Sequence, residues 1–134
     1  MENGKNTSEW RREKMYFWVG AIGYPLIELA YRRRTHPSMA LAGGLAAMAL
    51  GRISQTDRPL WQQALLGGLV ITGIEYGIGK MFNRRYRVWD YRNMPLNVQG
   101  QICLPFTLVW CGLSAAAVCL FTECRRAGKW LRRP

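Results

Sequence analysis

Apolar and charged positions are separated into blocks along this chain of 134 residues. Four apolar segments alternate with short stretches that hold almost all of the intervening charge: residues 15–31, 35–51, 60–79 and 101–122. The first segment contains one acidic residue, Glu28, the third contains one, Glu75, and the other two contain none. A helix that crosses a bilayer needs about 20 apolar residues, with about 17 as the lower limit. The pattern therefore predicts an all-α, polytopic membrane bundle of about four transmembrane helices, in a single domain.

The second segment is the weakest of the four. It is rich in Ala and Gly, and such a helix inserts less strongly than one rich in Leu. A re-entrant or buried segment is therefore the alternative for residues 35–51. All four segments are expected to be helices, because an open sheet edge cannot satisfy its hydrogen bonds in lipid. Residues 83–105 are too polar to span and too aromatic for a flexible tether, which predicts a structured loop between the third and fourth helices.

Basic residues flank the apolar segments and raise the net charge to +11. Eleven Lys and Arg fall on the side of the two termini and the second loop, and eight fall on the side of the first and third loops. Cytoplasmic loops carry the excess of Lys and Arg, which favours cytoplasmic termini and leaves the opposite orientation open. Because these cations adjoin apolar spans, anionic lipid headgroups are the expected partners, and no nucleic-acid partner is predicted.

Glu28 and Glu75 form the main candidate for a functional site. Each lies late in its segment and is followed, within about a helical turn, by basic residues. An ionisable residue at membrane depth costs several kcal/mol unless it is paired or faces a cavity, so it indicates a functional site. One hypothesis is that both acids face inward and form a polar site with Arg33, Arg34 and His36. The alternative is that each acid snorkels outward or pairs with its own Arg, as Glu28 can with the residue four positions later, and only sets the depth of its helix.

Small residues recur at helical spacing in two of the segments. The second contains Gly43, Ala47 and Gly51, and the third contains Gly73 and Gly77. Small residues let helix backbones approach closely in lipid, where no hydrophobic force drives association. The two motifs predict a tight helix contact, either within one chain or between copies. Cysteine spacing adds no metal site, since there is no CxxC pair and His36 is the one nearby imidazole.

The region from the third segment to the fourth contains a dense set of motif residues. They are Glu75-Tyr76, Trp89-Asp90-Tyr91, Pro95, Asn97, Gly100, Ile102-Cys103-Leu104-Pro105-Phe106 and Trp110. In this pattern the chain resembles a family of small bacterial integral membrane proteins described as ABC-transporter permeases, type IV. Two positions depart from the family pattern, which often has Ser where this chain has Arg92 and Arg where it has Gln101. The resemblance implies a multi-pass protein of the bacterial cytoplasmic membrane with a role in transport.

Three function classes follow from these features. The first is a permease or channel component that moves or binds a small polar solute. Since no GxxxxGK[ST] motif occurs, any ATPase would be a separate chain. Four helices are few for a whole translocation path, so a homo-oligomer is expected. The second class is a non-transport membrane scaffold or holin-like pore former. The third, an intramembrane enzyme using His36, Glu28 and Asp90, is not predicted, because no nucleophile stands at a recognisable spacing. No cofactor or metal is predicted.

Overall fold

The computed structural model describes residues 2–33 and 35–131, without the side chains of residues 2–6 and 32. The described residues form four α-helices and one short β-hairpin. In chain order the elements are α1 (Glu2–Arg32), α2 (Pro37–Ile53), α3 (Leu60–Phe82), β1 (Asn97–Val98), β2 (Ile102–Cys103) and α4 (Leu104–Leu131). The prediction of an all-α bundle with a structured loop before the last helix is confirmed.

Two of these helices are long and apolar enough to cross a membrane, by length and composition. They are α3, with 23 residues, and α4, with 28 residues. The helix α2 is apolar but shorter, with 17 residues, and α1 carries a long polar start. Together α3 and α4 indicate association with a membrane, while four spans remain a prediction.

The helix ends differ from the predicted segments at two places. The first helix begins at Glu2, well before residue 15, because the polar N-terminal stretch continues the same helix. The last helix begins at Leu104 and not at Gln101, because the preceding residues pair in the hairpin, with Asn97 opposite Cys103. Proline residues mark the starts of α2 and α4, where the missing N–H costs nothing.

Helices α1 and α2 approach each other closely at glycine residues. A Cβ added at Gly20 or at Gly43 would collide with the backbone carbonyl of the other residue. A Cβ at Gly51 would lie 2.5 Å from the ring of Tyr16, and one at Gly44 would lie 2.5 Å from the ring of Phe17. The backbone and the aromatic side chains of α1 therefore pack against the glycines of α2.

Helices α3 and α4 pack in the same way and run antiparallel. A Cβ at Gly67 would lie 2.6 Å from Ser114, and the hydroxyls of Thr72 and Thr107 are 2.9 Å apart. Since residue numbers rise along one helix as they fall along the other, the two run in opposite directions. The short connections make α2 antiparallel to both α1 and α3, so α1 and α3 run the same way.

One end of the bundle is closed by polar contacts between helix ends. Arg52 at the end of α2 forms an ion pair with Glu13 of α1, with a distance of 2.7 Å from Nε to the carboxylate. Arg125 of α4 donates to Ser54, which caps α2, and to the hydroxyl of Tyr16. This surface is called the terminal end below, because the start of α1, the end of α4 and the α2–α3 loop lie there.

The loop between α3 and α4 is held by two buried amides at the opposite end. Asn83 is 1% exposed and Gln101 is 2% exposed. The Asn83 amide donates to the carbonyl of Trp89 at 2.7 Å, and its side-chain oxygen accepts from the backbone of Val88 at 2.9 Å. The Gln101 amide donates in turn to the carbonyl of Asn83 at 3.0 Å. This pair ties the end of α3 to the hairpin and gives the loop one conformation.

A tight turn completes this loop. Gly100 adopts a φ of +67°, in the left-handed region that glycine tolerates best. The N–H of Gly100 donates to the side-chain oxygen of Asn97 at 3.0 Å. The carbonyl of Gly100 accepts a hydrogen bond from the N–H of Tyr91 at 3.0 Å. Asp90 accepts two side-chain hydrogen bonds from Arg92, and this contact holds the pKa of the Asp90 carboxyl below its ordinary value. The hydrogen bond from Tyr91 to Gly100 thereby positions the backbone from which the Tyr91 side chain extends.

Candidate functional site

A cavity of about 70 Å³ lies among the four helices and the loop. Its lining is mostly apolar and aromatic, with two carboxylates, and consists of Tyr24, Glu28, Met39, Ala42, Gly43, Ala46, Ile71, Ile74, Glu75, Trp89, Tyr91, Phe106, Trp110 and Leu113. Every helix and the loop contribute to it. Glu28 and Glu75 are thus brought to one cavity from α1 and α3, the two helices that run the same way.

Glu75 is held in this cavity by hydrogen bonds to both of its carboxylate oxygens. Its Oε1 accepts a hydrogen bond from the Tyr91 hydroxyl at 2.7 Å, and its Oε2 accepts one from the Trp110 indole N–H at 2.9 Å. Both donors are neutral, and each engages a different oxygen. The carboxylate is therefore oriented by the loop on one side and by α4 on the other.

The two donors are themselves held by ring packing. The Tyr91 ring stacks on Phe106 with centroids 4.8 Å apart, and Phe106 lies 6.1 Å from the ring of Trp110. Tyr24 of α1 contacts Trp110 from the other side, also at 6.1 Å. Burial, and then the nearby Glu75 carboxyl, raise the pKa of Tyr91 above its ordinary value. The phenol therefore stays protonated and keeps donating.

Trp89 forms another wall of the cavity. It is 6% exposed, and its indole N–H donates to the carbonyl of Gln101 at 2.9 Å. The amide pair of Asn83 and Gln101 thus positions both Trp89 and, two residues on, Tyr91. The loop covers one side of the cavity. It contributes the Tyr91 hydroxyl as a hydrogen-bond donor and the Trp89 ring as an aromatic wall.

Comparison with known proteins places the chain in a family. The model of the family described as "Putative ABC-transporter type IV" matches residues 15–128. The chain belongs to this family. No curated protein and no solved structure matches it. The resemblance found in the motif residues is confirmed, and it extends over all four helices of this type IV family member.

The motif residues that carried the resemblance occupy the loop and its contacts with α3. The hydroxyl of Tyr76 donates to Gln99 at 3.1 Å, and Lys80 donates to the same oxygen at 2.6 Å. Pro95 lies in a turn, Asn97 and Gly100 form the tight turn described above, Cys103 is 2% exposed, and Pro105 lies in the first turn of α4. In this member the motif builds the cover of the cavity and sets the position of Tyr91.

The predicted basic members of the site do not join it in the described structure. His36 is exposed and caps α2, since its Nδ1 accepts from the N–H of Ser38 at 3.2 Å. Arg33 is exposed and has a φ of 60°, at the turn where α1 ends. Neither is among the described residues that line the cavity. Their positions follow from their places at the end of α1 and before the start of α2, and a polar site that includes them stays a prediction. Arg34 lies outside the described residues.

The two small-residue motifs of the sequence have different surroundings. Gly43, Ala47 and Gly51 face α1, and Gly43 also borders the cavity. A Cβ added at Gly73 or Gly77 would meet nothing within 4 Å. These two glycines therefore make no tight contact with the rest of the described chain, and a contact between copies stays a prediction.

Sequence reasoning missed the residues that brace the site. Asn83 and Gln101 were not recognised as a pair, and the indole of Trp110 was not assigned to Glu75. An Asn directly after an apolar helix was one available signal, because such residues often bond to nearby backbone groups. The partner of Glu75 had no such signal, since Trp110 lies 35 residues away along the chain.

Proposed function

We propose that this type IV family member is a permease or channel component that binds or moves a small polar solute. The observation that carries the proposal is that Glu28 and Glu75, the two acids within the apolar segments, line one cavity. Carboxylates are expensive in an apolar bundle, and their usual setting there is a solute or ion path. The family description, a transporter component, agrees with this interpretation.

The chemistry of the cavity suits a small polar solute, and its volume of about 70 Å³ is well below the range of about 300–1,000 Å³ that is usual for sites of larger ligands. A cavity needs about 10–15 Å³ to hold one water molecule. A volume of about 70 Å³ therefore admits a few waters or one small solute. Glu75 is oriented before any solute arrives, because Tyr91 and Trp110 each hold one of its oxygens. A preoriented acceptor loses little conformational entropy on binding. Aromatic walls supply the remaining, mostly apolar, contact surface.

The proposal includes four membrane spans with cytoplasmic termini. The 17 residues of α2 rise about 26 Å at 1.5 Å per residue, close to the hydrocarbon thickness of a bilayer. The first and third loops lie at one end of the bundle, and the start of α1 and the end of α4 lie at the other, as four spans require. The larger count of Lys and Arg on the terminal end favours its cytoplasmic location.

The proposed assembly is a homo-oligomer without catalytic activity of its own. The cavity of about 70 Å³ in a single bundle is small for a translocation path, so a transport role calls for more than one copy. The open face at Gly73 and Gly77 supplies a surface on which a second copy can pack closely. Energy coupling, where it is needed, would come from a separate ATPase subunit, because the chain has no phosphate-binding loop.

Solute binding is tested with the purified protein in detergent. The thermal unfolding midpoint is measured with glycerol, urea, glycine, acetate, ammonium and methylammonium as probes. At least one probe is expected to raise the midpoint of the wild-type protein and to leave that of Glu75→Gln unchanged. The same probe should enter proteoliposomes faster than empty vesicles in a stopped-flow swelling assay if the chain acts as a channel.

The matched control is Glu123→Gln, the same change at an exposed acid of the terminal end. This variant should respond to the probe as the wild-type protein does. If no probe shifts the midpoint, or if Glu75→Gln responds fully, the cavity is not a solute site, and the bundle is a membrane scaffold.

A further inference from the structure

A basic groove lies at the terminal end, between the start of α1 and the end of α4. Its volume is about 490 Å³, within the range of about 300–1,000 Å³ that is usual for small-molecule sites. Its described lining residues are Ser8, Arg11, Arg12, Met15, Arg125, Gly128 and Lys129. Four of them are cations and none is acidic, so the groove is positively charged and suits an anion.

Arg125 is built into this groove by hydrogen bonds to neutral oxygens. Its Nη1 donates to Ser54 Oγ at 2.7 Å and to the Tyr16 hydroxyl at 3.2 Å. Its Nη2 donates to the Ser54 carbonyl at 2.9 Å and to Thr122 Oγ1 at 3.4 Å. It forms no ion pair with a carboxylate of the described chain. Three helices therefore hold this guanidinium in place without cancelling its charge.

Two of the nearby acids are engaged elsewhere, while Glu9 lines a neighbouring pocket together with Arg12. Glu13 pairs with Arg52, and Glu123 pairs with Arg126. Arg11 and Lys129, on opposite walls of the groove, are exposed and form no ion pair with a described residue. The positive charge of the groove is thus left for a ligand from outside the chain.

The setting of the groove favours a lipid phosphate over a free one. It adjoins the end of α4, one of the two helices apolar enough to cross a membrane. Trp10 and Trp130, next in sequence to lining residues, are 58% and 71% exposed. Indole rings are enriched at the level of lipid headgroups, and guanidinium groups match the oxygens of phosphate. Met15 adds an apolar contact at the groove wall.

We propose that this groove binds the phosphate of an anionic glycerophospholipid as a discrete headgroup site. Arg125 forms its fixed base, and Arg11 and Lys129 contact the phosphate from α1 and α4. The bound lipid joins the start of α1 to the end of α4 and secures the terminal end at the membrane surface. The site is separate from the cavity and is independent of whether a solute is carried.

The test is a titration of delipidated protein in detergent with dioleoyl phosphatidylglycerol, followed by native mass spectrometry. The variant combines Arg11→Gln with Lys129→Gln, because both side chains are exposed and neither has a structural partner in the described chain. Each removed cation should weaken binding about fivefold, so the pair should lose about 25-fold in affinity. The matched control combines Arg85→Gln with Arg87→Gln, which removes the same charge from exposed positions at the other end.

The proposal predicts a loss of affinity in the groove variant and unchanged affinity in the control. It also predicts weak binding of dioleoyl phosphatidylcholine and no displacement of phosphatidylglycerol by inorganic phosphate. Equal losses in the two variants would mean that net charge alone attracts the lipid. Equal binding of the two lipids, or displacement by inorganic phosphate, would also overturn the assignment.

Discussion

At the residue scale, the position of Glu75 depends on two donors from distant parts of the chain. Tyr91 comes from the loop and Trp110 from α4, and each hydrogen-bonds one carboxylate oxygen. A carboxylate in an apolar bundle is costly to leave without such partners. The motif Trp89-Asp90-Tyr91 therefore positions the Tyr91 hydroxyl at the cavity, where it donates to Glu75.

Tyr91→Phe is expected to destabilise the protein. A hydrogen bond to a charged group contributes about 1.5–3 kcal/mol, and the ring itself stays packed against Phe106. The free energy of unfolding, measured by titration with sodium dodecyl sulfate in mixed micelles, should fall by about this amount. Tyr31→Phe, at a side chain that is 86% exposed, should change it by less than about 0.5 kcal/mol. Equal values for the two variants would contradict the assigned role of Tyr91.

At the element scale, helix pairing depends on small residues that admit the neighbouring backbone. Gly43→Ala places a methyl group against the carbonyl of Gly20, so α1 and α2 must separate. Such overpacking costs about 1–3 kcal/mol, and the same unfolding measurement should register it. Gly112→Ala, where a Cβ meets nothing within 4 Å, should be neutral or stabilising, since Ala favours helix. If both changes are neutral, α1 and α2 do not pack as described.

The elements were predictable from the sequence where one local signal decides them. Long apolar segments between basic stretches indicated the helices, and the polar, aromatic stretch 83–105 indicated a structured loop before the last one. The start of α4 at Leu104 was not predictable, because it depends on the pairing of Asn97 with Cys103. Arg33 and His36 were assigned to the cavity on sequence proximity alone, and the turn between α1 and α2 places them outside it. Contacts over many residues, such as Glu75 with Trp110, leave no periodic pattern.

At the scale of the whole molecule, the proposed four spans predict a simple pattern of accessibility. Single cysteines are introduced by Arg33→Cys, Gln55→Cys and Arg87→Cys in a variant that lacks the native cysteines, and are labelled in intact cells with a membrane-impermeant thiol reagent. All three positions are exposed. Positions 33 and 87 should be labelled from one side and position 55 from the other. Any other grouping would rule out four spans.

The proposed solute site requires that Glu28 and Glu75 line one cavity inside a single chain. It is tested most directly by combining Glu28→Cys with Glu75→Cys in the same cysteine-free background and treating the protein with a short bifunctional thiol reagent. A protease site placed in the α2–α3 loop then reports whether the two halves remain joined. Ile27→Cys combined with Glu75→Cys is the control, because Ile27 is 59% exposed on the outer surface of α1.

We expect the cross-linked cysteines at positions 28 and 75 to hold the two fragments together after cleavage of the α2–α3 loop. The cysteines at positions 27 and 75 should leave the two fragments separate. Single variants at positions 28 and 75 must each react with a monofunctional reagent, which establishes that both thiols are accessible. If both react singly but the 28–75 pair leaves the halves separate, the two acids do not share a cavity, and the proposed solute site is excluded.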